Sequence, residues 1–238
     1  MVFYSNNFIF NKISSEDLDI HLVSEDTDIL CEYGIPFNIE DDENEITLSF
    51  CYSKDDIPLK WDFDLVTRFL EWMITDDYCE FISEDNLEII YFLKGIAYQK
   101  RLTPSMEGII DITFKVLSPY GYKHCTKEIS QNENNFTLYN HSNSDNNYKP
   151  VIKLSNISTD SISLTNETTK KTSFFINNLT NSDIIYIDNL MGTITDEQGN
   201  NRLMDSNRSW IELCKGSNSI LVDGICDIKI EAYYPIMV

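Results

Sequence analysis

Lysine and arginine are scarce in this chain. There are 18 of them against 39 Asp and Glu in 238 residues, a formal net charge of -21. A surface that grips a phosphate backbone needs clustered cations, so stable nucleic-acid binding is excluded, and so is docking on anionic lipid. No stretch approaches the ~18 consecutive apolar residues that a spanning helix needs, so no membrane insertion is expected. The N-terminal Met1–Asn11 segment has neither a basic region nor a long apolar run and reads as a strand, not a leader. Only eight glycines are present, too few for a phosphate-cradling loop, and no GxSxG, HExxH, Walker-type or GxGxxG pattern occurs. The three histidines, His21, His124 and His141, are isolated from one another. No two of the six cysteines form a CxxC pair, which suits small core residues in a reducing cytoplasm better than a disulfide framework or a zinc site. No catalytic residue, metal site or cofactor is therefore assigned.

What is present is material for a core. Hydrophobic residues make up 42% of the chain, with 13 Phe, 13 Tyr and 3 Trp. The length suits one large or two ordinary domains. Composition changes along it. Residues 1–125 hold 25 acidic and 9 basic residues, a net of -16, and only 6 asparagines. Residues 126–238 hold 14 acidic and 9 basic, a net of -5, and 17 asparagines. The stretch 131–147 is dense in Asn and Ser and reads as turn and loop. These breaks divide the chain into domains 1–127 and 128–238.

The first part reads as strands with one helix. Ile46, Leu48, Phe50 and Tyr52 alternate with Thr47, Ser49 and Cys51, and Ile110, Ile112, Phe114 and Val116 alternate with Asp111, Thr113 and Lys115. Leu87–Leu102 reads as one long strand or as a strand bulged at Gly95. Over 62–73, Phe63, Val66, Phe69, Leu70 and Met73 recur at helical spacing, with Asp62 as N-cap. The second part reads as short strands at 151–157, 161–165, 172–178, 184–190, 210–214, 219–222 and 228–234, separated by turns. The expected fold is mainly β: a β-sandwich with one helix, followed by a second β-sandwich.

The acidic runs Glu25–Asp28 and Glu40–Glu45 lack the glycine and spaced Glu of a calcium-binding EF loop and read as solvated loops. The Asn-x-Ser/Thr triplets are chance in so Asn-rich a chain.

In their order, four segments resemble the distal tail proteins of long-tailed bacteriophages. The opening Phe8-Ile-Phe-Asn-Lys-Ile-Ser-Ser-Glu-Asp-Leu18 is similar to that family's aromatic strand, Asn-Gly-type turn and Ser-x-Asp step, with Lys12 where the family has glycine. Gly108-Ile-Ile-Asp-Ile-Thr-Phe-Lys-Val-Leu-Ser-Pro-Tyr-Gly-Tyr122 resembles its Phe-x-x-x-x-Pro-Tyr-x-Tyr closing strand. Lys149-Pro-Val-Ile-Lys-Leu154 resembles the entry to its second domain, and Leu213-Cys-Lys-Gly-Ser-Asn-Ser-Ile220 its Leu-x-x-Gly-x-Asn-x-Ile pair.

The resemblance implies a structural protein and no enzyme. It implies a virion tail tip, assembled in the bacterial host cytoplasm, where a homo-oligomer, a hexameric ring, joins the tail tube protein to the tail-associated lysin, fibre or receptor-binding protein. The first domain would surround a DNA channel and the second, galectin-like, would project outward. Carboxylates facing such a channel would repel passing phosphates. For the subunit boundary the residues nominated are Glu40, Asp41, Asp42 and Glu43 against Lys94, Lys100 and Arg101. The alternative is a carbohydrate-binding module for host-surface attachment, with Trp210, Tyr233 and Tyr234 as an aromatic platform, although their alternation places some of them in the core.

Overall fold

A computed structural model describes residues 5–23, 45–54, 57–118, 120–131, 133–144, 146–169 and 173–236. The chain forms two compact units that divide between Tyr122 and Lys123. The sequence-derived division lies at 127/128.

The first unit contains strands β1 (Ser5–Asn6), β2 (Phe8–Phe10), β3 (Ile13–Ser14), β4 (Ile20–Val23), β5 (Glu45–Lys54), β6 (Ile57–Pro58), β7 (Cys79–Ser83), β8 (Tyr91–Leu102) and β9 (Gly108–Val116), with helix α1 at Phe63–Met73. They form one sheet, ordered β1-β4-β5-β9-β8-β7-β2-β3, with β6 beside β5. The two ends of this path are nearly one piece of chain. β1 pairs with β4, and β2, one residue further on, pairs with β7. Asn7 makes the corner. Its backbone N–H donates to the Glu84 carboxylate at 3.1 Å, and its carbonyl accepts from the Glu84 N–H at 2.9 Å. The sheet is therefore curled on itself, and ring distances confirm it. Phe8 and Phe50 lie four strands apart along the sheet, about 19 Å if it were flat, yet their centroids are 5.1 Å apart.

The interior is aromatic. Phe8, Phe10, Phe50, Phe69, Phe81, Phe114 and Trp61 are all fully buried. Helix α1 starts where expected, because the Asp62 side chain accepts from the Leu65 N–H at 2.7 Å. Its buried stripe is Leu65, Val66, Phe69, Trp72 and Met73. Phe63, expected on that stripe, is 80% exposed. Val66, Phe69 and Met73 are buried as expected, while Leu65 and Trp72, which fit the same 3.6-residue period, complete the stripe in place of Phe63 and Leu70. The two buried indoles are satisfied by strand backbone: Trp72 donates to the Phe10 carbonyl at 2.9 Å and Trp61 to the Gly108 carbonyl at 3.1 Å. The long strand expected over 87–102 begins at Tyr91, and its register shifts between Gly95 and Ala97, the bulge read from the glycine.

Between β2 and β3 the register pairs Phe10 with Ile13, leaving a two-residue loop in which Asn11 has φ 49° and Lys12 φ 67°. This is a type I′ hairpin, the turn that an Asn-Gly pair makes without strain. Lys12 makes it at a cost of about 1 kcal/mol for a non-glycine residue in the left-handed region. Lys12→Gly is expected to stabilise the chain by about 1 kcal/mol, read as a raised midpoint in thermal unfolding. An unchanged or lowered midpoint would contradict the turn assignment.

The second unit holds β10 (Gly121–Ile129, entering from the first), β11 (Asn135–Asn140), β12 (Val151–Ser155), β13 (Ile162–Asn166), β14 (Phe174–Ile176), β15 (Ile185–Asp188), β16 (Thr193–Asp196), β17 (Gly216–Asp223) and β18 (Asp227–Ile236). Two antiparallel sheets form, β10-β18-β12-β15-β16 and β11-β17-β13-β14. Ile152, Leu154, Ile185, Ile187, Ile228 and Ile230 of one sheet share a buried core with Phe136, Leu138, Leu164, Phe174, Ile220 and Val222 of the other. This is the expected sandwich. Strand β11 falls inside the Asn-rich stretch that the composition marks as loop. Residues 210–214, expected as a strand, carry only the bridge between Tyr148 and Leu213. Cys51 and Cys226 are buried core residues, and burial with the nearby Asp227 carboxylate pushes the Cys226 thiol up to about 12.

Candidate functional site

The residues nominated for assembly lie on the first unit, and each has a definite local setting except the acidic run. Glu40, Asp41, Asp42 and Glu43 lie outside the described residues. Lys94, Lys100 and Arg101 all sit on β8. Beyond the bulge this strand is exposed at 97–101. Its pairing with β7 involves only Tyr91–Leu93, so among the described residues the far half of β8 is bonded to β9 alone.

The three cations do not form one patch. The Lys94 ammonium donates to the Asp76 carbonyl. Lys100 lies 5.5 Å from the ring centroid of Tyr98, a partly solvated cation–π contact. Arg101 is committed within its own chain. Its Nε donates to Asp111 Oδ2 and one terminal nitrogen to Asp111 Oδ1, both at 2.6 Å. The Ser49 hydroxyl also donates to Asp111, at 2.7 Å. Arg101 was nominated to pair across a subunit boundary. The structure instead gives its charge an internal carboxylate, because cross-strand register places Ser49 and Gln99 on either side of Asp111. Burial alone would raise the Asp111 carboxyl, but the hydrogen bonds from Arg101 and Ser49 outweigh it and hold the group below the ordinary carboxylate value.

A depressed carboxylate contributes stability above its unfolded pKa of about 3.9, and that contribution is lost as pH falls through the folded value. Arg101 is half exposed, so the pair is discounted for solvent. Arg101→Met is expected to cost about 1 kcal/mol at pH 7 and progressively less as the pH is lowered through the depressed Asp111 value, where the carboxyl takes up its proton. Urea unfolding over a series of pH values from 7 downward measures this. A cost that does not change with pH would remove the electrostatic account.

On the second unit the aromatic platform does not form. Tyr234 is 2% exposed, packed near Tyr148 with ring centroids 4.7 Å apart. Tyr233, next along β18, points the other way and stacks on His124 at 4.4 Å. Trp210 packs over Gly192, whose added Cβ would meet the indole at 3.4 Å. The strand's own alternation separates Tyr233 from Tyr234, so no common sugar-stacking face results. Among the described residues no group of three or more His, Cys, Asp or Glu is placed to hold a metal ion.

A feature the sequence reading missed is a set of buried asparagines. Asn140, Asn166, Asn189 and Asn218 are each at most 4% exposed. Together they hold the backbone of the stretch Ile211–Cys214 on either side of its bridge to Tyr148. The Ile211 N–H donates to Asn189 Oδ1 at 2.8 Å. Asn166 Nδ2 donates to the Glu212 carbonyl at 2.7 Å and Asn140 Nδ2 to the Leu213 carbonyl at 3.0 Å. Asn218 takes both backbone groups of Cys214. Side-chain amides thus do the work of a neighbouring strand, since buried backbone groups must be paired. The skew of 17 asparagines into residues 126–238 was the available signal.

The comparisons with known proteins agree with this architecture. A family model described as a phage tail C-terminal domain matches residues 120–232, nearly all of the second unit. A prophage-derived protein of Bacillus subtilis strain 168, YomH of SPbeta, is 25% identical over 257 aligned positions, covering 98% of this chain and 99% of the relative. Among solved structures, the Dit protein of phage SPP1, titled a paradigm of the hub adsorption apparatus in phages infecting Gram-positive hosts, superposes with a TM-score of 0.60 at 11% identity. That match covers 96% of this chain and 99% of Dit. A chain of the phage P2 baseplate in its activated conformation gives 0.50 at 8% identity over 95% of this chain and 97% of the other. The resemblance read from the four sequence segments is borne out: the chain's fold is similar to that of SPP1 Dit over 96% of its length, and its second unit matches the phage tail C-terminal domain family.

Proposed function

We propose that this chain is a structural hub of a phage or prophage tail tip, a ring that joins the tail tube to the adsorption proteins and leaves a channel for DNA. The observation that carries the reading is the length of the match. Both units, in the same order, align with SPP1 Dit over 96% of one chain and 99% of the other.

In this reading the first unit builds the ring. A closed ring of one sequence needs head-to-tail contacts between unlike surfaces. The far half of β8 supplies one such surface, with Lys100 as the cation without an internal carboxylate partner among the described residues. The net charge of -16 over residues 1–125 supplies the channel, since a six-fold ring repeats it around the axis and repels phosphates from the wall. The tail tube protein and a tail-associated lysin, fibre or receptor-binding protein are the partners above and below. The role is scaffolding, without catalysis.

The test is the mass of the purified chain in solution, followed by negative-stain microscopy and antibody labelling of whole tails. The expected results are a particle near six times 27.6 kDa with six-fold symmetry, and label at the tail tip. A stable monomer with label elsewhere on the virion, or none, overturns the reading. Lys100→Glu is expected to shift the ring toward smaller species in native mass spectrometry.

A further inference from the structure

Among the described residues the second unit has four sheet edges, and they are not treated alike. The outer side of β14 is met by the segment that follows it: Asn207 N–H donates to the Phe175 carbonyl at 3.0 Å, and Asn177 N–H to the Asp205 carbonyl at 2.9 Å. The outer side of β16 is covered in the same way, by Arg202 N–H to the Ile194 carbonyl at 2.8 Å and a bridge between Thr195 and Asn201. Strand β10 carries Lys123 and Lys127 at alternate positions with Cys125 and Ile129, and a charge turned toward the sandwich interior guards an edge against pairing.

Strand β11 has no such device. Its sequence, Asn135-Phe-Thr-Leu-Tyr-Asn140, holds no charge and no proline and is rich in strand-forming side chains. Its open side can be identified from the ladder. Val222 N–H donates to the Asn134 carbonyl at 2.8 Å, which makes 134/222 a hydrogen-bonded pair. In an antiparallel ladder such pairs alternate, so Phe136, Leu138 and Asn140 bond to β17 at Ile220, Asn218 and Gly216. The N–H and C=O groups of Asn135, Thr137 and Tyr139 therefore point away from β17, and no described group takes them.

A slot of about 320 Å³ runs beside this edge, between the two sheets. Thr137 and Leu138 of β11, Cys125 and Lys127 of β10, and Ile230 and Tyr234 of β18 line it. Its lining mixes apolar Leu138, Ile230 and Ala232 with polar Thr126, Thr137 and His141. Its rim holds Lys127, which has no carboxylate partner among the described residues. A strand laid along β11 would send alternate side chains into the slot and the others outward.

We propose that β11 is the docking edge for an extended segment of a partner protein. The segment pairs its backbone with Asn135, Thr137 and Tyr139, places alternate apolar side chains in the slot, and sets a carboxylate against Lys127. The inference concerns a different unit from the proposed ring contact and does not depend on it.

The test is selection from a random linear dodecapeptide library on the purified full chain, wild type against Thr137→Pro. Proline at 137 removes only an outward-facing donor, a position where an edge strand tolerates it, so the variant is expected to melt within a few degrees of wild type. Thr137→Val keeps the donor. The expected binders alternate apolar β-formers with polar residues, carry Asp or Glu, lose at least tenfold in affinity on Thr137→Pro and keep it on Thr137→Val. Lys127→Glu should shift the selected acidic position to a basic one. Should Thr137→Pro fail to fold, hydrogen exchange on wild type decides: a selected peptide must slow the amides of Asn135, Thr137 and Tyr139 at least tenfold. No binders, binders indifferent to both measures, or binders without alternation would each overturn the proposal.

Discussion

Gly95→Ala is expected to destabilise the first unit by at least about 3 kcal/mol, the upper end for an overpacked core. A Cβ at position 95 would lie 1.9 Å from the Met73 carbonyl oxygen and 2.9 Å from its carbon, with Ile74 Cα at 3.3 Å. These are backbone atoms, not the far end of a side chain that can swing away. They are also held in place. Ile74 N–H closes the last turn of α1 on the Leu70 carbonyl at 2.9 Å, and Thr75 N–H donates to the Gly95 carbonyl at 3.2 Å. The end of the helix therefore rests directly on β8, at the bulge that shifts the register between Gly95 and Ala97. Relief would require lifting α1, with Phe69, Trp72 and Met73, off the aromatic core. Urea unfolding followed by tryptophan fluorescence measures this, because two of the three indoles, Trp61 and Trp72, are buried in the first unit. The expected result is an early loss of that signal, while strand dichroism from the second unit persists. An alanine variant within about 0.5 kcal/mol of wild type, the ordinary range of neutral substitutions, would show that helix and strand are not in contact there.

The same glycine illustrates how much of this fold is legible in the sequence. Its place in a strand run marks a bulge, and a bulge is found. What no single-sequence reading supplies is the partner it makes room for, since Met73 is 22 positions away and the contact is backbone to backbone. The Asp62 cap and the alternation of β5 and β9 were legible because cap and period are local. Phe63 was misplaced because two overlapping stripes fit one helical period, and only the tertiary core chooses between them. Strand β11 was lost to composition. Its alternation, with Phe136 and Leu138 buried, was present, but the surrounding asparagines outweighed it. Residues 210–214 show the opposite error, an alternating run held by one backbone bridge and by side-chain amides instead of a strand. Of the nominated assembly residues, Arg101 has an internal partner that the sequence hides for a related reason: Asp111 is ten residues away and lies diagonally across from it only once β8 and β9 pair. The tail-protein resemblance rested on order and spacing, which the fold preserves even where identity falls to 11%.

Asn218→Asp is expected to be at least as damaging to the second unit as Gly95→Ala is to the first, although it changes almost no volume. Asn218 is fully buried. Its Nδ2 donates to the Cys214 carbonyl at 2.8 Å and to the Gly216 carbonyl at 3.0 Å. Its Oδ1 accepts from Cys214 N–H at 2.9 Å and from Asn166 Nδ2 at 3.0 Å. A carboxylate keeps the two acceptor bonds and loses both donor bonds. It then faces two carbonyl oxygens, from which it is repelled, without a cation to balance it. A buried polar group left unpaired costs about 1–3 kcal/mol, and a charged one more, so a loss of at least 3 kcal/mol at pH 7 is expected. Burial and the two carbonyls raise the new carboxyl above its unfolded value. The penalty is therefore present at pH values above about 4 and shrinks below that, because the protonated acid can donate to one of the two carbonyls. Urea unfolding of wild type and variant at pH 7 and at pH 3.5 measures both parts. A loss under about 1 kcal/mol, or one independent of pH, would mean that Asn218 does not carry the hydrogen bonds assigned to it. Asn218→Ala separates charge from connectivity: it removes all of the side-chain bonds, acceptor and donor alike, without adding an acid, so its cost should not vary between the two pH values. The stretch it anchors is the Leu213–Ile220 motif by which the chain resembles distal tail proteins. The asparagine of that motif is thus accounted for by the backbone it pairs, without any ligand.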